Sequence, residues 1–176
     1  MSLPQLIMRN PDITNLPPLV LPEGFEIYHH EENCGMEAVW ENIIESAFGT
    51  KFSFDFLVKA GDYNPEHVLY LSHNGVPIAT ATAVEHKDYP GEGWYRMVGV
   101  HADAKGIGAG RTIALAALYA LRERGYTSAM LSTDDDRLPA ICLYLSLGFE
   151  PYYSHESHKE RWERIFEAIA AAKSGK

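Results

Sequence analysis

Cysteine is scarce in this chain, which has Cys34 and Cys142 as its only two among 176 residues. Two cysteines cannot build a disulfide framework, and neither stands in a CxxC or Cys/His spacing that is typical of a metal site. We therefore predict a reduced interior without a metal, in which Cys142 is a buried structural thiol.

Basic residues are also few, since 15 Lys and Arg stand against 24 Asp and Glu, for a formal net charge of −9 at pH 7. Proteins that bind nucleic acids need clustered Lys and Arg to meet the phosphates, so this balance argues against a nucleic-acid partner. An acidic surface favours a cationic or amine ligand, although only weakly.

Long apolar runs are missing as well, and none approaches the roughly 20 residues that a transmembrane helix requires. The first residues, MSLPQLIMRNPD, lack both the basic n-region and the apolar h-region of a secretory signal. We therefore expect a cytoplasmic protein that makes no membrane contact.

Proline is concentrated near the N-terminus, where it removes backbone donors and disfavours helix. Residues 1–24 are therefore predicted to form an extended arm. The rest of the chain, 25–176, has the length of one compact domain.

The remaining sequence mixes helix and strand patterns. Asn74-Gly75 lies between two apolar runs and predicts a type I′ β-hairpin, because both residues tolerate positive φ. A further strand is predicted over 94–100, and the run 126–132 predicts a buried parallel strand. Helices are predicted over 36–48, over 52–60, from 111 to the stop at Gly125, from 138 to the stop at Gly148, and from about 156 onward.

Glycine is clustered in the stretch HADAKGIGAGRT, where Gly106, Gly108 and Gly110 precede a predicted helix. Backbone N–H groups at a helix N-terminus form an anion site suited to phosphate, and glycine lets a ligand approach closely. Neither GxxxxGK[ST] nor GxGxxG is satisfied, because Arg111 stands where the next glycine is required. The alternative is a tight strand-to-helix turn, but the flanking Lys105 and Arg111 favour the anion site.

Two segments together resemble the central motifs of the GNAT superfamily of N-acetyltransferases. VGVHADAKGIGAGRTIALAALYALRERG resembles V-x-x-x-x-[RQ]-G-x-G-x-[GA], with Lys105 where Arg or Gln is usual. RLPAICLYLSLGF resembles A-x-x-x-Y-x-x-x-G-F, represented by Ala140, Tyr144, Gly148 and Phe149. The order and separation of the motifs match the family, and the resemblance extends from Phe25 to Tyr153.

The resemblance implies an α/β fold with a mixed, mostly antiparallel sheet, helices on both faces, and two strands that splay apart where acetyl-CoA binds as co-substrate. Loop amides would hold the pyrophosphate, and the pantetheine would lie along the strand that ends at Val100. Gly99 would suit a β-bulge in that strand, and a nearby backbone N–H would bind the thioester oxygen. The implied cofactor-binding residues are Val98, Gly99, Val100, Lys105, Gly106, Ile107, Gly108, Ala109, Gly110, Arg111 and Ala140.

The implied reaction transfers an acetyl group to a primary amine of a small molecule or peptide, by direct attack in a ternary complex. Tyr144 would be the general acid; the alternative is a buried tyrosine that only packs. Family members often place a basic Glu or His on the fourth strand, where this chain has Trp94 and Arg96. Glu85 is the first candidate for the base. Other candidates near the cleft are His86, Glu92 and His101.

Other features leave alternatives open. Arg137 stands where a helix-opening Asn is frequent in the family, and the chain continues into a helix where many members have another strand. Asp134, Asp135 and Asp136 suit a solvated turn better than a metal site.

The acceptor would be chosen by the segments 48–64 and 87–93, whose acidic residues indicate a cationic acceptor. The resembled scaffold is compatible with a homodimer. A non-catalytic acyl-CoA-binding or regulatory domain is the alternative function, and an interaction protein that binds partners through its N-terminal arm and C-terminal helix is a third.

Overall fold

The structure of the chain, a computed structural model, describes residues 3–32, 34–59 and 64–175. The strands are β1 (Leu6–Asn10), β2 (Phe25–His29), β3 (Val68–His73), β4 (Val76–Glu85), β5 (Gly93–Val100), β6 (Ala129–Thr133) and β7 (Glu150–Tyr152). The helices are α1 (Met36–Phe48), α2 (Asp55–Lys59), α3 (Ala109–Glu123), α4 (Leu138–Ser146) and α5 (His158–Ser174). The predicted arm, second helix and acceptor segment lie partly outside the described residues.

The strands form one sheet in the order β2-β3-β4-β5-β6-β1-β7. β5 and β6 run parallel, and the other neighbours are antiparallel. The prediction of a mixed, mostly antiparallel sheet flanked by helices is therefore confirmed. Asn74 and Gly75 both have positive φ, 52° and 78°, as the predicted type I′ hairpin requires.

The N-terminal residues are part of this sheet. β1 lies between β6 and β7, with Leu6 opposite Thr133 and Ile7 opposite Tyr152. Leu6 and Met8 are completely buried. The prediction of an arm outside the domain is wrong for residues 6–10, because the apolar residues at alternate positions of LIMRN bury one face of a strand and the nearby prolines fall outside it.

Helices cover both faces of the sheet. The larger core packs α3, α4 and α5 against one face, with Ile113, Ile141 and Trp162 among its buried side chains. A smaller core packs α1 and α2 against the other face, around Trp40 and Ile44. The opening between β5 and β6 lies where these two cores meet, and this opening positions the candidate site.

Among the described residues, no helix combines the length and the apolar character that a membrane span needs.

Candidate functional site

β5 and β6 begin side by side and then separate. Their paired residues are Gly93 with Ala129 and Trp94 with Met130. Beyond Trp94 the strands diverge and leave a cleft that contains a cavity of about 290 Å³. The lining residues used below are Phe48, Phe56, His86, Trp94, Tyr95, Arg96, Met97, Val98, Asp134, Arg137 and Tyr144.

A β-bulge sits on the cleft wall of β5. Gly99 pairs with Thr80 and Arg96 with Thr82, so β5 has one extra residue between these pairs. Met97 has φ 50°, a left-handed conformation that is uncommon for a residue with a side chain. The two residues between these pairs, Met97 and Val98, therefore form the bulge. The prediction of a bulge at Gly99 is wrong.

Gly99 is required by packing instead. A Cβ at this position would lie 3.0 Å from Ile44 Cδ1 and 3.2 Å from Ala47 Cβ. Both contacts come from α1, which crosses β5 closely at this point. Glycine at position 99 thus lets α1 approach the strand, and the bulge is formed by residues that do have side chains.

The bulged strand offers backbone groups to the cleft. Its residues after Trp94, apart from Met97 and Val98 in the bulge, pair with β4 on one side, and none of them has a β6 partner on the other. Alternate residues of a strand direct N–H and C=O groups to the same side, so some of those between Tyr95 and Val100 face the gap. Of the predicted residues Val98, Gly99 and Val100, Val98 lines the cavity.

The glycine loop follows β5 and leads into α3. His101 opens a short 3-10 helix, Ala102–Ala104, and accepts a hydrogen bond from the Asp103 N–H at 3.3 Å. The residues from Lys105 to Gly108 are exposed. Gly106 and Gly108 have φ of 86° and 87°, which favours glycine at both positions.

The N-terminus of α3 points out of this loop. Gly108 precedes the helix, and the N–H groups of Ala109, Gly110 and Arg111 belong to its first turn, where no intrahelical acceptor exists. A Cβ at Gly106 or Gly108 would meet nothing within 4 Å, so the space above the loop is open to a ligand. The positive end of the helix dipole adds to the attraction for an anion.

The end of β5, the start of α3 and helix α4 converge beside the cleft. A Cβ at Gly110 would lie 3.7 Å from side-chain atoms of both Leu143 and Val100. Arg111 reaches α4, where its Nη1 donates to Ser146 Oγ at 3.0 Å. Ala140 is half-buried on α4 and packs against the larger core. The predicted loop residues and Ala140 therefore lie on elements that meet at one place.

Tyr144 projects from α4 into the cleft. The side chain is 8% exposed and lines the cavity. Burial raises the pKa of Tyr144 to about 12, and the positive charge of Arg137 acts in the opposite direction. The phenol is therefore neutral at physiological pH and can donate a hydrogen bond to a group in the cleft.

Glu85 does not line the cavity. It is exposed at the end of β4, where its carboxylate accepts a hydrogen bond from the Gly91 N–H at 3.4 Å. Together with burial, Glu85 also raises the pKa of Tyr126, which packs against the core on the α3 side. The structure thus places Glu85 and Tyr144 in different environments.

His86, the next residue, does line the cavity. Its ring lies 4.5 Å from the ring of Trp94, measured between centroids. Its Nδ1 accepts a hydrogen bond from the Asp88 N–H at 3.2 Å, which fixes the orientation of the imidazole. The other early candidates are placed elsewhere: His101 caps the short 3-10 helix, and Glu92 binds Arg9 and Ser128.

Arg137 and Arg96 bring two guanidinium groups to the cavity. Arg137 lies 4.0 Å from the ring centroid of Phe48, and Arg96 lies 5.5 Å from that of Phe56. Sequence reasoning noticed both arginines only as departures from the family pattern. Their convergence depends on how α1, α2, α4 and β5 pack, for which the sequence offered no signal.

The three consecutive aspartates are engaged with neighbouring side chains. Asp135 pairs with Arg161 of α5, which lowers the pKa of Asp135, and Asp134 lies 3.5 Å from Arg137 Nε. Within the described parts of the chain, no three His, Cys, Asp or Glu side chains are grouped to hold a metal.

Cys142 is exposed, so its prediction as a buried thiol is wrong. It occupies the outward face of α4, whereas Ile141 and Tyr144 face the core.

Two curated acetyltransferases are similar in sequence to this chain. Mycothiol acetyltransferase of Thermomonospora curvata is 31% identical over 156 residues, which cover 84% of this chain and 52% of the relative. Mycothiol acetyltransferase of Thermobispora bispora is 30% identical over 154 residues, 81% of this chain and 52% of the relative. The chain thus spans about half the length of these curated relatives.

Solved structures share the fold. A GCN5-related N-acetyltransferase from Sphaerobacter thermophilus superposes with a TM-score of 0.69 at 24% identity, over 84% of this chain and 48% of that one. The ribosomal-protein-S18-alanine N-acetyltransferase from Escherichia coli gives 0.58 at 23% identity, over 70% of this chain and 76% of that one. The family model described as "Acetyltransferase (GNAT) family" matches residues 27–149. The chain therefore belongs to the GNAT acetyltransferase family.

Proposed function

We propose that the protein transfers an acetyl group from acetyl-CoA to a primary amine of a small molecule or peptide. The observation that carries this proposal is the cleft between β5 and β6, where Tyr144 lies close to the elements that carry the glycine loop. One end of the cleft suits a phosphate group, and its interior contains a buried hydrogen-bond donor.

The glycine loop would hold the pyrophosphate of acetyl-CoA. The first-turn amides of α3 lack intrahelical acceptors, and Lys105 and Arg111 add positive charge. The open space above Gly106 and Gly108 lets phosphate oxygens reach the backbone. Ile107, Ala109 and Gly110 would contribute backbone contacts to the same group.

The pantetheine arm would lie against the open side of β5. The backbone of Val98, Gly99 and Val100 is not paired with β6, so it can hydrogen-bond a ligand in place of a neighbouring strand. An N–H group beside the bulge would bind the thioester oxygen more strongly as negative charge develops on it. Ala140 would line the opposite wall, on α4.

The amine would attack the thioester directly, without a covalent enzyme intermediate. A primary amine with a pKa of about 10 is mostly protonated near neutrality, so it must lose a proton before it attacks. The C–N bond then forms, the C–S bond breaks, and the nitrogen loses its second proton. Solvent water would take up both protons, because His86, the imidazole that lines the cavity, already accepts the Asp88 N–H at its Nδ1 and therefore carries its own proton on Nε2 when neutral.

Tyr144 would stabilise the leaving sulfur. Because an ordinary thiol has a pKa near 8.5, full proton transfer from a phenol of pKa about 12 is uphill by roughly 5 kcal/mol. The neutral phenol therefore acts mainly by donating a hydrogen bond to the thiolate as it forms, and the thiolate takes up its proton from solvent. Arg137 favours this by stabilising negative charge beside Tyr144.

Calorimetric titration with acetyl-CoA, with CoA and ATP as comparisons, tests the cofactor site. We expect both CoA species to bind and ATP to bind much more weakly. Arg111→Gln and Lys105→Gln should each weaken CoA binding by roughly three- to tenfold, since each removes a charge-assisted contact. Equal affinity for ATP, or no binding of either CoA species, would contradict the proposal.

Release of free CoA thiol with a panel of primary amines tests the reaction itself. Turnover that depends on both acetyl-CoA and an amine supports acetyl transfer, and intersecting rather than parallel double-reciprocal plots support a ternary complex. Binding of acetyl-CoA without turnover on any amine would favour a non-catalytic acyl-CoA-binding domain. Homodimer formation stays a prediction, which the molar mass measured by light scattering would test.

A further inference from the structure

Aromatic rings make up much of the wall of the cleft cavity. The lining residues that carry a ring are Phe48, Phe56, His86, Trp94, Tyr95 and Tyr144. They belong to α1, α2, β5, α4 and the residue after β4, so a ligand in the cavity meets rings from several elements. Pockets for small molecules are lined mainly by hydrophobic and aromatic side chains, and rings pack favourably against other rings. The lining therefore favours a ligand that carries an aromatic group.

Phe56 is the most exposed of these rings. It is 46% exposed, whereas Trp94, Tyr95 and Tyr144 are buried, and so is Leu57, the next residue of the same helix. A ligand that covers the open part of Phe56 would remove apolar surface from water, which is favourable. The α2 side of the cavity thus offers apolar surface that the protein itself does not cover.

Phe56 is held in position by two other phenylalanines. The ring centroids of Phe48 and Phe52 lie 6.1 Å apart with an interplanar angle of 71°, and those of Phe52 and Phe56 lie 5.7 Å apart at 63°. These edge-to-face contacts connect Phe56 to the end of α1. Arg96 of β5 lies 5.5 Å from the Phe56 ring centroid. Since the ring is already packed against these neighbours, a ligand that stacks on it has little side-chain freedom to restrict.

The segments that were expected to choose the acceptor contribute rings to the cavity rather than acids. Among the described residues of 48–64 and 87–93, Phe48 and Phe56 are the ones that line it. Asp134 also lines it, but it faces Arg137 Nε at 3.5 Å and accepts a hydrogen bond from Gln5 Nε2 at 2.9 Å. The acid in the cavity therefore has partners within the protein, and the open contact that is left for an acceptor is the apolar one at Phe56.

The size of the cavity favours a small acceptor. Its volume of about 290 Å³ lies near the lower end of the range for ligand pockets, roughly 300–1,000 Å³. We propose that the acceptor is a small primary amine that carries an aromatic ring, with the ring packed on Phe56 and the amine directed toward the thioester beside Tyr144. This inference rests on the proposed acetyltransferase function and names its substrate class. It replaces the expectation of an acceptor chosen by acidic residues.

Binding to the CoA-saturated protein tests the class without turnover. Benzylamine, phenethylamine and phenylpropylamine would be titrated calorimetrically, each beside the analogue in which a tetrahydropyranyl group replaces phenyl. Each analogue keeps the amine, the linker and a six-membered ring, but its ring is polar and non-planar. We expect at least one aromatic amine to bind about tenfold more tightly than its analogue, because its ring buries more apolar surface and stacks on Phe56. Putrescine, which has a second cation in place of the ring, should bind more weakly than that amine.

Variants of α2 assign the preference to Phe56. Phe56→Ala and Phe56→Gln should each reduce it at least about threefold and leave the Kd for CoA within about twofold of the wild-type value, whereas Phe56→Tyr keeps a ring and should retain the preference. Val58→Ala is the matched control, because Val58 lies on the same helix, is 47% exposed and does not line the cavity. It should leave the preference unchanged. Urea unfolding midpoints would confirm that each variant is folded.

Several results would overturn the inference: equal binding of both members of every pair, absence of binding by all probes, tighter binding of putrescine than of every aromatic amine, or a preference that survives in Phe56→Ala and Phe56→Gln. An equal loss in Val58→Ala would also overturn it. An aromatic preference in binding without any release of CoA from acetyl-CoA would support the binding class while contradicting the proposed reaction. Turnover of amines without an aromatic preference would do the reverse, so the two failures are distinguishable.

Discussion

The rings of Tyr95 and Tyr144 meet edge to face, with centroids 5.8 Å apart and an interplanar angle of 76°. Both side chains line the cleft, and burial raises the pKa of both phenols. They differ in their polar surroundings. The Tyr95 hydroxyl is completely buried and has no hydrogen-bond partner among the described residues, whereas Tyr144 has the charge of Arg137 nearby.

Removal of the hydroxyl group should therefore have different effects at Tyr144 and at Tyr95. Tyr144→Phe should lower kcat by about 10- to 100-fold, because it removes the proposed donor to the leaving sulfur. Tyr95→Phe should leave kcat within about threefold and keep or raise stability by up to about 1 kcal/mol, since it removes an unpaired buried hydroxyl. Steady-state kinetics and urea unfolding of both variants measure this. A larger kcat loss in Tyr95→Phe would reverse the assignment.

The raised pKa of Tyr144 sets its behaviour at alkaline pH. With a pKa of about 12, the phenol keeps its proton from about pH 7 to about pH 10, so it can donate a hydrogen bond throughout this range. We expect plots of kcat against pH to have the same shape for wild type and Tyr144→Phe over this range, with a lower kcat for the variant throughout. An alkaline fall in wild type that is absent from Tyr144→Phe would contradict this.

The contact between Arg9 and Glu92 should make the free energy of unfolding depend on pH in the acidic range. Burial opposes ionisation of Glu92, but hydrogen bonds from Arg9 and Ser128 outweigh it, so its pKa is lowered from 4.5. Because the pKa of Glu92 is lower in the folded state, its ionised carboxylate stabilises the protein at pH values above the unfolded-state pKa. This stabilisation is lost as the pH falls through the folded-state pKa.

Glu92→Gln should therefore cost about 1 kcal/mol near neutral pH and progressively less below about pH 4.5. Urea unfolding across that range is the measurement. Glu163→Gln serves as the control, since Glu163 is exposed on α5 and should show no such dependence. A Glu92→Gln effect that is constant with pH would show that the charge is not responsible.

The close approach of α1 to β5 predicts that Gly99→Ala is destabilising. The added Cβ would lie 3.0 Å from Ile44 Cδ1, so α1 has to move, at a cost of about 1–3 kcal/mol. Gly110→Ala is the matched control, because its Cβ would make only ordinary contacts at 3.7 Å in a helix that favours alanine. Urea midpoints should fall for the first variant and hold or rise for the second.

Local patterns were sufficient to predict much of the fold. Asn74 and Gly75 form the predicted hairpin because their φ preferences act within four residues, and helical spacing marked α1 and α3. β1 was missed because its five residues gain stability only from β6 and β7, which lie far along the chain. A local sequence pattern cannot identify partners that lie so far along the chain.

In the candidate site, too, the sequence predicts local features but not the packing between distant elements. Alternation along a strand predicts that Glu85 and His86 face opposite sides, but which side opens onto the cleft depends on where α1 and α3 pack. The position of Arg137 over Phe48 likewise needs both helices in place. The turn at the glycine loop could be predicted because the positive φ of Gly106 and Gly108 is a property of one continuous segment, whereas the role of the loop in binding stays a prediction.

The insertion of β1 between β6 and β7 has a consequence for how the protein is made on the ribosome. β1 precedes both of its neighbours in the chain, so it has to remain unpaired, with an apolar face, until they have been synthesised. β7 is only three residues long and pairs with β1, so this edge of the sheet forms only after strands from distant parts of the chain have met. We expect this edge to be the last part of the sheet to form during synthesis.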